Sequence, residues 1–159
     1  MRPDPEHQID PNAVPAWRLR DGLSSLTWFA VPAVTGLAWY NDALPLWPVL
    51  LATALCLINT IVMIVIVPEV RWRRWRYEIN EHEIYLKYGI LIVRRVLIPA
   101  GRIQNVDTAQ GPVYRHFGLS SVTITTAATT HEIPALDDET ADRVRNTISV
   151  LAREADQDV

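Results

Sequence analysis

With 159 residues and a formal net charge of −3, the chain has room for one modest domain, or for a membrane hairpin and one small domain, and it lacks the basic excess of a bulk nucleic-acid binder. Its single cysteine, Cys56, lies in an apolar region, which excludes an intramolecular disulfide and a cysteine-based zinc site. Mean hydropathy is only slightly positive, but residues 23 to 67 hold one charge, Asp42, while both flanks are charged throughout.

Residues 1–22 form a polar N-terminal arm, expected in the cytoplasm. The first apolar run, Leu23 to Tyr40, has 18 residues, at the short end of what crosses a hydrocarbon core of about 30 Å. The second, Leu44 to Val67, is longer and more apolar. Asn41-Asp42-Ala43 leaves room only for a tight turn, so residues 23–67 are predicted to form an antiparallel two-helix transmembrane hairpin. A secretory signal is disfavoured, because about twenty polar residues precede the first run, no small-residue cleavage site follows, and a second run comes at once. A buried hairpin in a soluble protein fits poorly with more than twenty consecutive uncharged positions. Arg18 and Arg20 flank the first run, and Arg71, Arg73, Arg74 and Arg76 follow the second. The positive-inside rule therefore places both termini in the cytoplasm, with two spans in the cell membrane. Trp17, Trp39, Tyr40, Trp47 and Trp72 fall near the boundaries, where amphipathic rings prefer to lie. Pro32 and Gly36 are expected to kink or thin the first helix. Asn59, mid-way along the second, is expected to bond across to another helix; no ionisable residue suggests an ion pathway.

From Glu69 on, short β segments are expected. Trp75, Tyr77 and Ile79 alternate with charged residues, then Ile84, Leu86 and Tyr88 do the same after the turn Asn80-Glu81-His82. Tyr88-Gly89 opens a turn into a strand from Ile90 to Ile98. Arg102 to Thr108 reads as a strand with broken alternation, which a bulge or short helical turn would explain. Val113 to Phe117 fits one helical turn ending at Gly118. Ser120 to Thr126 is a β-branched strand, and His131 to Leu136, holding Pro134, suits an edge. A final helix, capped by Asp137 or Asp138, carries Ala141, Val144, Ile148, Leu151 and Ala155 as one stripe. Trp75, Tyr77, Ile84, Leu86, Val122, Ile124, Val144, Ile148 and Leu151 are expected to share one core. The fold class is thus an α+β membrane protein, a transmembrane hairpin followed over residues 69–155 by a PH-like antiparallel β-barrel or sandwich with a C-terminal helix.

An ordered series of short motifs runs along nearly the whole chain: Ile9-Asp10-Pro11, Pro15 to Arg20, Tyr88-Gly89, Arg94-Arg95, Ile98-Pro99, Arg102 to Val106, Gln110-Gly111-Pro112, Arg115, Phe117-Gly118-Leu119, Thr126-Ala127, Ile133-Pro134 and Leu136. The series resembles the bacterial-type PH-domain membrane proteins of the YdbS-like kind. It departs at Ala135, where relatives often carry glycine. The resemblance implies the architecture, and as a partner a larger membrane relative with several PH copies.

His82, His116 and His131 match no compact metal motif. Ser120 or Ser121 with His116 and Asp107 lacks a nucleophile elbow, and no phosphate-cradling glycine loop occurs. No enzymatic activity and no cofactor are expected. Two residue groups remain as candidate sites. Arg71, Trp72, Arg73, Arg74 and Arg76 suit contact with the membrane surface or lipid, with Lys87, Arg94 and Arg95 flanking a nearby hairpin. Arg102, Gln104, Asp107 and Arg115 form either a partner-binding or a structural motif, with an ion pair to Asp107 or a bond to a turn carbonyl as the simpler role of the arginines. The expected function is a membrane-anchored interaction or scaffold module that assembles with other membrane proteins; the alternative is recognition of anionic lipid. Oligomeric state stays open.

Overall fold

The computed structural model describes residues 3–157, which divide into two compact units: residues 17–69, and the described parts of 1–16 and 70–159 taken together.

The chain enters through β1 (His7–Gln8) and α1 (Ala13–Ser25), passes a 3-10 turn at Leu26–Phe29, and continues in α2 (Ala30–Tyr40). The 3-10 turn lies just ahead of Pro32, whose missing N–H and bulky ring oppose the carbonyl of residue 28, so α-helical bonding cannot run through. The irregularity expected in this helix is the 3-10 turn ahead of the proline. Gly36 sits in regular helix with open space where a side chain would go. Ser24, Ser25 and Thr27 turn their hydroxyls back onto the carbonyls of Asp21, Gly22 and Ser24 at 2.7–2.9 Å, which satisfies them without a partner helix. The Asn41 amide caps α2 by donating to the Leu37 carbonyl, and Asp42 takes a positive φ of 56° in the tight turn.

After Pro45 the chain forms α3 (Leu46–Ile61), a π-helical turn at Val62–Ile66, and α4 (Val67–Arg74). The wide turn precedes Pro68, which can neither donate to residue 64 nor tolerate its carbonyl. Together they make one 29-residue helix, Leu46–Arg74. Among the described residues it is the one helix long and apolar enough to cross a membrane; the first run is divided by the 3-10 turn into shorter helices. α2 packs on α3. The helix outlasts the predicted end at Val67 by two turns. Arg71, Arg73 and Arg74 in the last turn suit the C-terminal end of the helix dipole, which favours helix where strand was expected.

The other unit holds two antiparallel sheets. One runs β1-β2-β3-β4, with β2 (Arg76–Ile79), β3 (Glu83–Tyr88) and β4 (Arg94–Pro99); the other runs β5-β6-β7, with β5 (Ile103–Ala109), β6 (Leu119–Thr126) and β7 (Thr130–Asp137). No ladder joins them, so the barrel is not closed. The corner is a 3-10 turn, Ala100–Arg102, and β5 opens with a register shift between Ile103 and Asn105. That shift accounts for the broken alternation. α5 (Pro112–His116) starts on proline and ends at Gly118, whose φ of +63° glycine accepts freely. α6 (Asp138–Gln157) packs on β5, β6 and β7.

Buried side chains come from both sheets and α6: Trp75, Tyr77, Ile84, Leu86 and Ile98; Leu119, Val122, Ile124, Ile133 and Leu136; Ala141, Val144 and Ile148. Leu151, expected in this core, is only half-buried. Two features were not anticipated. The N-terminal arm belongs to the domain: β1 pairs with β2, Pro5 and Ile9 are fully buried, and the Asp10 N–H donates to the Ala135 carbonyl at 3.0 Å. Second, Ile90–Val93 is not strand. β4 begins at Arg94, and Gly89 turns the chain at φ +124°, where a Cβ would collide with the Ile92 carbonyl.

Candidate functional site

The arginines expected at the membrane surface lie on the last turn of α4 and the start of β2. Arg73 and Arg74 are exposed; Arg71, Trp72 and Arg76 are half-buried. Arg74 donates from its guanidinium to the Ile90 carbonyl. Trp72 faces the arm: its indole N–H donates to the Ile9 carbonyl at 3.1 Å, and its own carbonyl accepts from the Gln8 amide at 3.1 Å. Trp72 therefore staples the arm in place. Of the other expected interfacial rings, Trp39, Tyr40 and Trp47 are exposed, while Trp17 is buried.

Next to the β3–β4 hairpin, Asp4 of the arm pairs with Lys87 and, at 3.2 Å, with Arg95. The Lys87 ammonium bonded to it holds the Asp4 carboxyl below its ordinary value. Arg94, exposed at the strand start, completes a basic collar around the loop.

The second candidate group is dispersed. Arg102 lies in the 3-10 corner, Gln104 and Asp107 on β5, and Arg115 on α5, all exposed. Asp107 accepts a bond from the Asn105 amide at 2.6 Å. Among the described residues it makes no ion pair with Arg102 or Arg115, which corrects the simpler expectation. Arg102 is five strand residues away, roughly 16 Å along an extended chain. β5 is also an edge strand, which places Gln104 and Asp107 on a sheet edge.

Several motif residues have structural tasks instead. The Gln110 amide donates to the Leu119 carbonyl and the Asp138 carboxylate, which also accepts from Ser120 at 2.7 Å. The α6 cap is Asp137, whose carboxylate accepts the Thr140 N–H at 2.9 Å; hydrogen bonding by the Thr140 side chain, aided by that N–H, lowers its pKa. Ser121 donates to the Ala109 carbonyl, and His116 packs edge-on against Phe117. Neither serine meets His116. Among the described residues no three His, Cys, Asp or Glu side chains are placed to hold a metal ion.

In the helical unit, an apolar groove is lined by Trp28, Val31, Trp47, Leu51, Leu55 and Asn59. The Asn59 amide makes no hydrogen bond to any described residue, and the adjacent Thr60 hydroxyl is buried without a partner.

Comparison with known proteins assigns the family. The profile described as Bacterial PH domain matches residues 26–152. The UPF0699 transmembrane protein YdbS of Bacillus subtilis (strain 168) is 43% identical over 159 residues, the whole of both chains. The UPF0699 transmembrane protein YdbT of the same organism is 29% identical over 83 residues, 50% of this chain but 17% of that one. No solved structure matches. With its full-length relative, its apolar helix and its two-sheet domain, the chain belongs to the bacterial PH-domain family of membrane proteins.

Proposed function

We propose that the chain is a non-enzymatic, membrane-anchored PH-like module. It spans the bilayer twice through residues 23–67, keeps both termini and the domain of 69–155 in the cytoplasm, and assembles with another membrane protein through its helices. The observation that carries the assembly is the Asn59–Thr60 pair. A primary amide without a partner in hydrocarbon is costly, because no water can satisfy it. A bond from a neighbouring helix relieves that cost and contributes about 1 kcal/mol. The candidate occupant is a larger relative with several PH-like copies; YdbT, several times longer than its 83-residue match, has the size of such a protein.

The arm supports the two-span topology. Residues on both sides of the apolar segment build one domain, so a segment that crosses the bilayer must cross an even number of times. A cysteine at Asp42, in a Cys56→Ala background, should react with an impermeant thiol reagent in intact cells, and one at Thr129 should not; the reverse pattern would defeat the orientation.

Affinity purification from native membranes in mild detergent tests the assembly. Asn59→Leu should remain in the membrane and lose its partner, whereas Arg73→Ala with Arg74→Ala should keep it. If the arginine variant loses the partner and Asn59→Leu does not, recognition of anionic lipid by the basic face replaces helix-mediated assembly.

A further inference from the structure

The β3–β4 loop, Gly89–Val93, has the wrong chemistry for a solvent-facing turn. Leu91 is 95% exposed, Ile92 76% and Val93 45%. Loops of this length use glycine, asparagine, aspartate or serine, whose short polar side chains suit water and turn geometry. Here only Gly89 does a turn's work. The next four residues are aliphatic, and three of them extend into solvent. Scattered exposed apolar residues need no explanation, but a contiguous apolar tip does. Elsewhere in this unit, among the described residues, large apolar side chains are exposed only singly, at Leu97 and Val150.

The tip is braced. Arg74 donates to the Ile90 carbonyl, and Tyr88 at the loop's root stacks on Trp75 with ring centroids 5.7 Å apart. Both contacts tie the loop to the end of α4. Arg74 on the Ile90 carbonyl, and Lys87, Arg94 and Arg95 on the strand ends that carry the loop, put cations around the tip, and Asp4 pairs with Lys87 and Arg95. An apolar tip in a cationic collar matches an anionic leaflet, with cations at headgroup level and aliphatic groups below.

We propose that Leu91 and Ile92 form a wedge that enters the headgroup–acyl boundary of the bilayer in which Leu46–Arg74 is seated. The wedge rests on the reading that this helix crosses the membrane. It gives the domain a second point of attachment, and so fixes its rotation about the helix exit.

The test uses the full chain in phosphatidylcholine–phosphatidylglycerol vesicles. Leu91→Cys, in the Cys56→Ala background, carries an environment-sensitive fluorophore; Thr129→Cys, in the exposed β6–β7 turn, is the reference. The Leu91 probe should emit blue-shifted, lose intensity to lipids spin-labelled high on the acyl chain, and resist aqueous iodide. The Thr129 probe should do the opposite. Equal quenching of both by iodide overturns the wedge. Shielding of Leu91 that vanishes as the protein is diluted in lipid also overturns it, because a second copy then covers the tip. Flotation keeps the two readings apart: protein that fails to float with the vesicles defeats the membrane reading itself, whereas floating protein with an aqueous Leu91 defeats the wedge alone.

Discussion

Ile9 lies in a polar arm more than sixty residues from its structural neighbours in β2, yet it is only 2% exposed. Replacing it with alanine removes three carbon atoms from the interior, worth about 2.5 kcal/mol at about 0.8 kcal/mol for each buried methylene. The residual cavity adds to this, giving a range of about 2–5 kcal/mol. The Trp72 indole and the Gln8 amide hold the backbone around Ile9, so the arm resists collapse into the space. For a domain of roughly 100 residues, each kcal/mol shifts Tm by about 4–8 °C, so Ile9→Ala should melt at least about 8 °C lower. Tryptophan fluorescence reads the transition in detergent, because Trp72 and Trp75 both lie in this unit. Leu19→Ala, at an exposed helical position, is the control. A shift no larger than the control's would refute the arm's place in the domain.

Other expectations follow from the same structure. Asp137→Ala removes the bond to the Thr140 N–H and should cost about 0.5–2 kcal/mol, read as a lower Tm; no change would mean that Asp138 caps α6 after all. The Asp4 carboxyl is held below its ordinary value of 3.8 by Lys87, so its stabilising effect is present above that value and is lost as pH falls through the lower folded value. Asp4→Asn should therefore differ from wild type in Tm near neutral pH, converge with it in acid, and differ less at high salt; a gap that widens in acid would contradict the pairing. Ile148→Ala, at a fully buried position, should cost about 2–5 kcal/mol, and Leu151→Ala clearly less in the same melting assay. Equal losses would place Leu151 deeper in the core than it lies here.

Period and turn chemistry made most of the domain legible. Trp75 and Tyr77, Ile84 and Leu86, and Val122 and Ile124 are buried as expected, although Tyr85, between Ile84 and Leu86, is buried too, and α6 buries Ala141, Val144 and Ile148 of its stripe while Leu151 and Ala155 are half-buried. The errors have identifiable causes. Residues 68–74 look like an interruption because proline and charge follow the apolar run, but a π turn absorbs Pro68 and the charges suit the dipole. Ile90–Val93 look like strand because aliphatic residues usually do; only Gly89, with its positive φ, marks the turn. β1 has two residues, too few for any period to show. The departure at Ala135 also becomes intelligible. Its φ is +50°, inside a shift of register between β6 and β7, where glycine is the easier residue. Of the candidate sites, composition identified the basic collar. It did not reveal that Trp72 turns toward the arm, because one indole bond leaves no pattern in sequence.

The arm bears on how many times the membrane segment crosses. In the proposed topology its charged flanks hold the N-terminus inside, with each basic residue near an anionic leaflet contributing about 1 kcal/mol. The β1–β2 pairing adds a separate constraint. A chain that crossed an odd number of times would strand β1 across the bilayer from β2, leave Pro5 and Ile9 without their pocket, and break the bonds of Trp72 to Gln8 and Ile9. The burial of Ile9 alone is worth as much as two or more of the arginines, about 2–5 kcal/mol, and it is not screened by salt. β1 is synthesised before the helices and β2 after them, so in the proposed topology this contact forms only once the hairpin has returned the chain to the side it left. Within the proposed topology the folded domain thus reads the parity of membrane crossing: an even number completes the four-stranded sheet and an odd number leaves it a strand short, while the choice of side rests on the flanking arginines.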